Sequence, residues 1–144
     1  MPWLISACLL GIPCRYDGKS KGLSQDYLQY LKANYDLIPI CPEIYGGLPT
    51  PRPPAEIQGD KVRTQTGEDF TKYYQRGAAA TCKIAEVTGA EGAFLAARSP
   101  SCGVGSVYDG TFQGKVVAGD GITAQKLREM ALELKSLDPK DEVQ

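Results

Sequence analysis

The side chains best suited to chemistry in this chain of 144 residues are five cysteines, and the chain has no histidine. The absence of histidine excludes a Ser-His or Cys-His catalytic pair and any imidazole metal ligand. An odd number of cysteines, in a chain that shows no export signal, argues against a disulfide framework. The composition therefore favours a metal site or a redox thiol.

Three of the cysteines stand in similar local contexts. Cys8 lies in the apolar segment 3–10, Cys41 follows the apolar segment 37–40, and Cys102 lies in the motif SPSCG (99–103) after the apolar run 92–97. Ligands of open parallel sheets bind beyond the carboxyl ends of the strands. We therefore predict that the three sulfurs converge on one point. Their separations are long and irregular, unlike the paired Cys-x-x-Cys spacing of zinc ribbons. Cysteine is also among the most often buried residue types, so packing in the core is the alternative role for these three side chains.

Four further side chains are open to more than one interpretation. Cys82 falls in a helical stripe, which favours packing, whereas Cys14 can be a fourth ligand, a redox neighbour or a loop thiol. Glu43 follows Cys41 by two residues and is either a solvated loop acid or a general acid or base. Ser99 is either a turn hydroxyl or a contact to substrate.

The charge pattern limits the partners. The net charge of −1, with acids and bases interspersed, gives no electrostatic basis for binding nucleic acid or an anionic membrane. No segment has the roughly 20 apolar residues of a membrane span. We expect a cytoplasmic protein.

Three arginines flank the thiol-bearing and proline-rich segments, namely Arg15, Arg52 and Arg98. They can offset negative charge or bind an anion, or they can be ordinary surface residues.

Strand and helix patterns alternate and predict an α/β fold. We expect one three-layer, Rossmann-like domain over 1–137, with a mostly parallel sheet of four to five strands, its site at their carboxyl ends, and a polar tail over 138–144. The predicted strands are 3–10, 37–40 (an edge strand, because of Pro39), 92–97 and 115–118. The predicted helices are 24–33 (capped by Ser24), 67–88, and a last helix from 122 with Leu127, Met130, Ala131 and Leu134 on its inner face. A rigid loop over 45–56 and a small hairpin over 107–112 complete the prediction.

The motifs, taken together, resemble one small bacterial domain family that includes the thiouracil desulfidases. The resemblance runs from about residue 4 to 130 and rests on SACLLG (6–11), CPE (41–43), SPSCG (99–103) and YDGTF (108–112), in matching order. It implies a non-redox enzyme that replaces the sulfur of 2-thiouracil with oxygen. It also implies a [4Fe-4S] cluster held by Cys8, Cys41 and Cys102, with one iron left free to bind the substrate sulfur, and catalytic roles for Glu43 and Ser99.

Two other classes of function remain open at this point. One is a zinc-binding or structural thiol domain that recruits a partner, and the other is a thiol-redox protein that uses Cys8 and Cys14. For the leading hypothesis the partner is a small thiolated nucleobase, and the protein is a monomer or a small homo-oligomer.

Overall fold

Strands and helices alternate along the part of the chain that the structure describes, residues 1–141 of a computed structural model. The strands are β1 (Pro2–Ser6), β2 (Asp36–Ile40), β3 (Ala55–Gln58), β4 (Lys61–Thr64), β5 (Gly92–Ala96), β6 (Ser106–Tyr108), β7 (Val116–Ala118) and β8 (Glu133–Leu137). The α-helices are α1 (Gln25–Asn34), α2 (Pro42–Tyr45), α3 (Thr71–Thr88) and α4 (Ile122–Glu129). Short 3-10 helices cover Ala7–Leu10 and Pro139–Asp141.

The central sheet contains four parallel strands in the order β2-β1-β5-β8. From β1 the chain passes through α1 to β2 at one edge of the sheet, and it later passes through α3 to β5 and through α4 to β8 at the other edge. Because crossovers between parallel strands are right-handed, connections that move towards opposite edges place their helices on opposite faces of the sheet. The predicted α/β class, with a parallel sheet flanked by helices, is confirmed. Within the described residues, no helix combines the length and hydropathy that a membrane span requires.

The two inner strands, β1 and β5, form the centre of the core. Leu4 and Ile5 are completely buried, as is Leu95 on the neighbouring strand. The Trp3 ring packs on Phe94, with ring centroids 4.6 Å apart. Strands buried on both faces read as continuous apolar runs, which explains why both segments were recognisable in the sequence.

Two local predictions are confirmed in detail. The hydroxyl of Ser24 accepts a hydrogen bond from the backbone N–H of Tyr27 at 3.3 Å and caps α1. β2, which contains Pro39, is an edge strand of the sheet.

The prediction for the C-terminal third is wrong in two respects. The last helix ends at Glu129, and Leu134 lies in β8 rather than on a helix face. Met130 and Ala131 also lie beyond the helix, and Ala131 has a φ of 63° that turns the chain out of it. Pairing with the buried strand β5 outweighs the helix-forming residues of this segment.

The predicted strand over 115–118 exists as β7, but it pairs antiparallel with β6 outside the central sheet. The hairpin is therefore wider than the one predicted over 107–112. A second hairpin, β3–β4, turns at Gly59 and was not predicted. Asp138, assigned to the polar tail, is buried, because it pairs with Arg98 and Lys21. Residues 142–144 of that tail lie outside the described residues.

Helices α2 and α3 are in contact through glycines. A Cβ atom on Gly77 would lie 1.9 Å from the carbonyl oxygen of Pro42, and one on Gly46 would lie 1.9 Å from that of Tyr73. This backbone contact brings Glu43 of α2 within hydrogen-bond distance of Tyr74 of α3.

We expect Gly77→Ala to lower the free energy of unfolding by about 1–3 kcal/mol, the usual cost of overpacking. Helix propensity alone predicts the opposite sign, because Ala is favoured over Gly in a helix by about 1 kcal/mol. Urea unfolding gives the measurement, and Ala79→Gly, at an exposed position of the same helix, gives the control. An increase in stability for Gly77→Ala would contradict the close contact of the two helices.

Candidate functional site

The strand order reverses direction between β1 and β5, and a cavity opens at their carboxyl ends. In open α/β sheets this switch point is where ligands bind. The cavity has a volume of about 420 Å³, and Cys8, Cys41 and Cys102 all line it. The structure thus brings together the three cysteines that the sequence singled out. Cys14 lines the same cavity, whereas Cys82 lies elsewhere, on α3.

Each of the three cysteines is placed by a strand end. Cys8 lies in the 3-10 helix that follows β1, Cys41 is the residue before α2, and Cys102 lies in the turn after β5. Cys8 and Cys102 are buried and Cys41 is partly buried. The three side chains reach one cavity because their strands are neighbours in the sheet and run in parallel.

Burial disfavours the thiolate form of Cys102 and of Cys41. Desolvation raises the pKa of Cys102 to about 12, although hydrogen bonds with Ser6 and Ser101 lower it in part. The pKa of Cys41 is also raised, first by a hydrogen bond with Cys14 and then by burial. Thiols of this kind become thiolates when a cation compensates their charge, so metal binding here would release protons.

Cys14 is in direct contact with two of the other thiols. Its hydrogen bond with Cys41 lowers its pKa, but a hydrogen bond with Cys8 and burial raise that pKa by more, so that the net shift is upward. The thiol is buried, and the carbonyl oxygen of the same residue accepts a hydrogen bond from Arg52 Nη2 at 3.0 Å. The sequence left the role of this residue open, and the structure places it beside the candidate ligands.

The donor set fits an iron–sulfur cluster, since such clusters are held by cysteine thiolates. All five cysteines are free thiols, and those lining the cavity are partly or fully buried. Among residues 1–141, no group of three or more Cys, Asp or Glu side chains is arranged to hold a single metal ion. A cluster does not need that arrangement, because its cysteines bind separate irons.

Glu43 is held by three side chains beside the thiols. Its Oε1 accepts hydrogen bonds from Arg52 Nε and from the hydroxyl of Tyr74, each at 3.0 Å. Its Oε2 accepts one from the hydroxyl of Ser101 at 2.9 Å. The pair with Arg52 is well shielded, since the Arg52 side chain is 3% exposed and that of Glu43 is 14% exposed. Glu43 is therefore a fixed carboxylate of the cavity and not a solvated loop acid.

Arg52 connects the proline-rich loop to the thiols. Besides Glu43, its guanidinium donates hydrogen bonds to the carbonyl oxygen of Pro49, the hydroxyl of Thr50 and the carbonyl oxygen of Cys14. Within the range 45–56, predicted as one loop, Tyr45 lies in α2 and residues 55–56 lie in β3. Arg52, Pro54, Ala55 and Glu56 of this range form one wall of the cavity. Of the three arginines singled out in the sequence, Arg52 is the buried one.

Ser99 shapes the turn that carries Cys102. Its Oγ accepts hydrogen bonds from the backbone N–H groups of Ser101 and Cys102, at 3.1 and 3.0 Å. The two serine hydroxyls are 2.9 Å apart. Ser99, Ser101 and Glu43 thus form one continuous hydrogen-bonded chain at the cavity.

Two members of this network, Ser101 and Tyr74, were not predicted from the sequence. Ser101 lies in the SPSCG motif, but no spacing rule distinguishes it from Ser99. Tyr74 lies on the buried face of α3, where desolvation raises the pKa of its hydroxyl well above the usual value. The available signal was that a buried tyrosine hydroxyl needs a hydrogen-bond partner.

We expect the folded, cluster-free chain to resist alkylation at Cys102. A pKa raised from 9.0 to about 12 lowers the thiolate fraction at pH 8 roughly a thousandfold, and thiolate is the nucleophile. Iodoacetamide should therefore modify Cys102 at least about a hundredfold more slowly in the folded chain than in urea, as measured by peptide mass spectrometry. Folding raises the pKa of Cys102, so its contribution to the free energy of unfolding is fully present below pH 9 and is lost as the pH rises towards 12. Equal alkylation rates in the folded and unfolded chains would contradict the burial described.

Comparisons with known proteins agree on one family. The family model for 2-thiouracil desulfurase matches residues 3–138. YbbK of Bacillus subtilis (strain 168), an uncharacterized protein, is 40% identical over an alignment of 136 residues that covers 88% of this chain and 89% of YbbK. Among solved structures, the [4Fe-4S]-dependent thiouracil desulfidase TudS matches with a TM-score of 0.89 and 45% identity, over 94% of this chain and 89% of TudS. The resemblance found in the sequence is thus confirmed, and the chain belongs to the 2-thiouracil desulfurase family.

Proposed function

We propose that this chain is an enzyme that removes the sulfur of a thiolated nucleobase such as 2-thiouracil, in a reaction that depends on a [4Fe-4S] cluster. The thiocarbonyl carbon gains the oxygen of one water molecule and loses its sulfur as hydrogen sulfide, so no electrons are gained or lost. The observation that supports this proposal best is the meeting of Cys8, Cys41 and Cys102 at one cavity that also contains a fixed carboxylate. The family and the match to TudS support it independently.

In this proposal Cys8, Cys41 and Cys102 hold the cluster. When bound, the cluster supplies an iron without a protein ligand, which can bind and polarise the soft sulfur of a thiocarbonyl. Because Cys8 and Cys102 are buried and Cys41 is partly buried, bulk water would have limited access to a cluster held there. The hydroxyl of Ser101 lies 3.6 Å from the sulfur of Cys102, so its single proton, directed at Glu43 Oε2 in this structure, could turn to donate to a thiolate there.

Glu43 is the proposed general base and proton carrier. Arg52 and Tyr74 occupy Oε1 and fix the direction of the carboxylate, so Oε2 is the atom best placed to take a proton from the attacking water. Ser99 is proposed to orient the substrate or to stabilise charge that develops on it. Ser101 lies between the two and can pass a proton from one to the other.

The contact between the Cys8 and Cys14 thiols favours a second candidate, a thiol-redox reaction. Redox thiols ordinarily have a lowered pKa, whereas that of Cys14 is raised, so we rank this candidate lower. A zinc-binding domain is the third candidate, and a zinc-loaded chain would be colourless.

We place the desulfuration in the cytoplasm, where free thiols persist, and assign it to a monomer or a small homo-oligomer.

The ligand set can be tested by anaerobic reconstitution with ferrous iron and sulfide. We expect the unchanged chain to absorb at about 400 nm and to release sulfide from 2-thiouracil. We expect most of this absorbance and most of this sulfide release to be lost in each of Cys8→Ser, Cys41→Ser and Cys102→Ser. Cys82→Ser is the matched control, since Cys82 lies outside the cavity, and Cys14→Ser should keep both signals. If Cys14→Ser loses the cluster while one of the variants at Cys8, Cys41 and Cys102 keeps it, the proposed set of ligands is wrong.

The role of Glu43 predicts a separate result. Glu43→Gln keeps the size of the side chain but removes the base, so we expect kcat to fall about 10²- to 10⁴-fold while the absorbance of the cluster is retained. Glu86→Gln, at an exposed position on α3, is the control and should leave kcat unchanged. If Glu43→Gln turns over 2-thiouracil as fast as the control, the carboxylate is not the base.

A further inference from the structure

The loop between β6 and β7 carries an aromatic side chain to the cavity in an unusual backbone conformation. Phe112 lines the cavity and is partly buried. Its φ is 59°, in the left-handed region that bulky residues rarely adopt. Strained backbone of this kind persists only where surrounding contacts enforce it, and it concentrates at functional sites.

A buried carboxylate enforces this conformation. Glu56 lies in β3 and is only 9% exposed, and its Oε1 accepts hydrogen bonds from the backbone N–H groups of Gly110 at 2.9 Å and Phe112 at 3.1 Å. Burying a carboxylate is costly, and charge-assisted hydrogen bonds from backbone N–H groups offset that cost. The chain therefore uses a buried charge to fix the loop.

Further contacts attach the same loop to the β3–β4 hairpin. The amide of Gln58 donates a hydrogen bond to the carbonyl oxygen of Gly110 at 2.9 Å. Gly110 has a φ of 92°, and a Cβ atom there would lie 2.8 Å from the carbonyl oxygen of Ile57, so only glycine fits. Asp109 closes the turn, because its Oδ1 accepts hydrogen bonds from the N–H and hydroxyl of Thr111. The position of the Phe112 ring is thus set by two hairpins.

We propose that Phe112 is the aromatic wall against which the planar ring of the substrate stacks, and that Glu56 is a positioning residue for it. Aromatic rings prefer offset stacking on planar π-systems, and every nucleobase offers such a face. The site would then select conjugated heterocyclic thiocarbonyl compounds over small acyclic ones such as thiourea. This inference rests on the proposed desulfuration and adds the group that recognises the substrate ring.

The first test compares KM and kcat for 2-thiouracil and for thiourea in the reconstituted enzyme. We expect Phe112→Leu to raise the KM for 2-thiouracil about tenfold or more with little change in kcat, and to leave the KM and kcat for thiourea unchanged. We expect Phe112→Tyr, which keeps an aromatic ring, to have the KM of the unchanged enzyme. Tyr30→Leu, at an exposed aromatic outside the cavity, is the matched control. An unchanged KM for 2-thiouracil in Phe112→Leu would overturn this inference while leaving the proposed function standing.

The second test does not depend on activity. Uracil, the product, is added to the cluster-free chain, and its ring protons are followed by NMR. Stacking on Phe112 predicts an upfield ring-current shift that disappears in Phe112→Leu and in Glu56→Ala and is retained in Glu56→Gln, which keeps an acceptor oxygen. A shift of equal size in Phe112→Leu would overturn the inference, whatever the outcome of the sulfide assay.

Discussion

The burial of several thiols at the ends of neighbouring parallel strands is the constraint on which the rest of this structure depends. Desolvation disfavours the thiolate form of Cys102, and the contact between Cys41 and Cys14 disfavours a second negative charge beside it. A cationic centre bound between Cys41 and Cys102 would offset that penalty for both thiols. The fold brings the thiols together through strand order alone, because β2, β1 and β5 are adjacent and run in the same direction.

A second set of contacts surrounds the thiols and fixes the polar groups. Arg52 joins the proline-rich loop, the carbonyl oxygen of Cys14 and the carboxylate of Glu43 into one network. Breaking a buried ion pair of this kind commonly costs about 3–5 kcal/mol, because one charge is left without a partner. The glycine contact between α2 and α3 belongs to the same set, since it brings Tyr74 to Glu43. The acid beside the candidate metal site is therefore held in place from three directions.

The sequence predicted the parts of the fold that local physics determines. The apolar runs of β1 and β5, the cap at Ser24 and the edge position of Pro39 each follow from one residue type or one short pattern. β8 was missed because its residues favour a helix and only pairing with β5 makes them a strand. Positions that depend on contacts distant in sequence could not be read from local patterns.

The candidate site divides in the same way. Cys8, Cys41, Cys102, Glu43 and Ser99 were found because they lie in short motifs after predicted strands. The remaining members, Ser101, Tyr74 and Glu56, act through partners at least 31 residues away in the chain. No periodicity marks such pairs. The β3–β4 hairpin, which presents Glu56, was itself unpredicted.

The central claim is that three protein thiolates hold a [4Fe-4S] cluster and leave one iron for the substrate. Mössbauer spectroscopy of the chain reconstituted with ⁵⁷Fe tests it most directly. We expect 2-thiouracil to change the signal of one iron in four, in the unchanged chain and in Cys14→Ser alike. A spectrum that 2-thiouracil leaves unchanged, or a cluster that requires Cys14 as its fourth ligand, would contradict it.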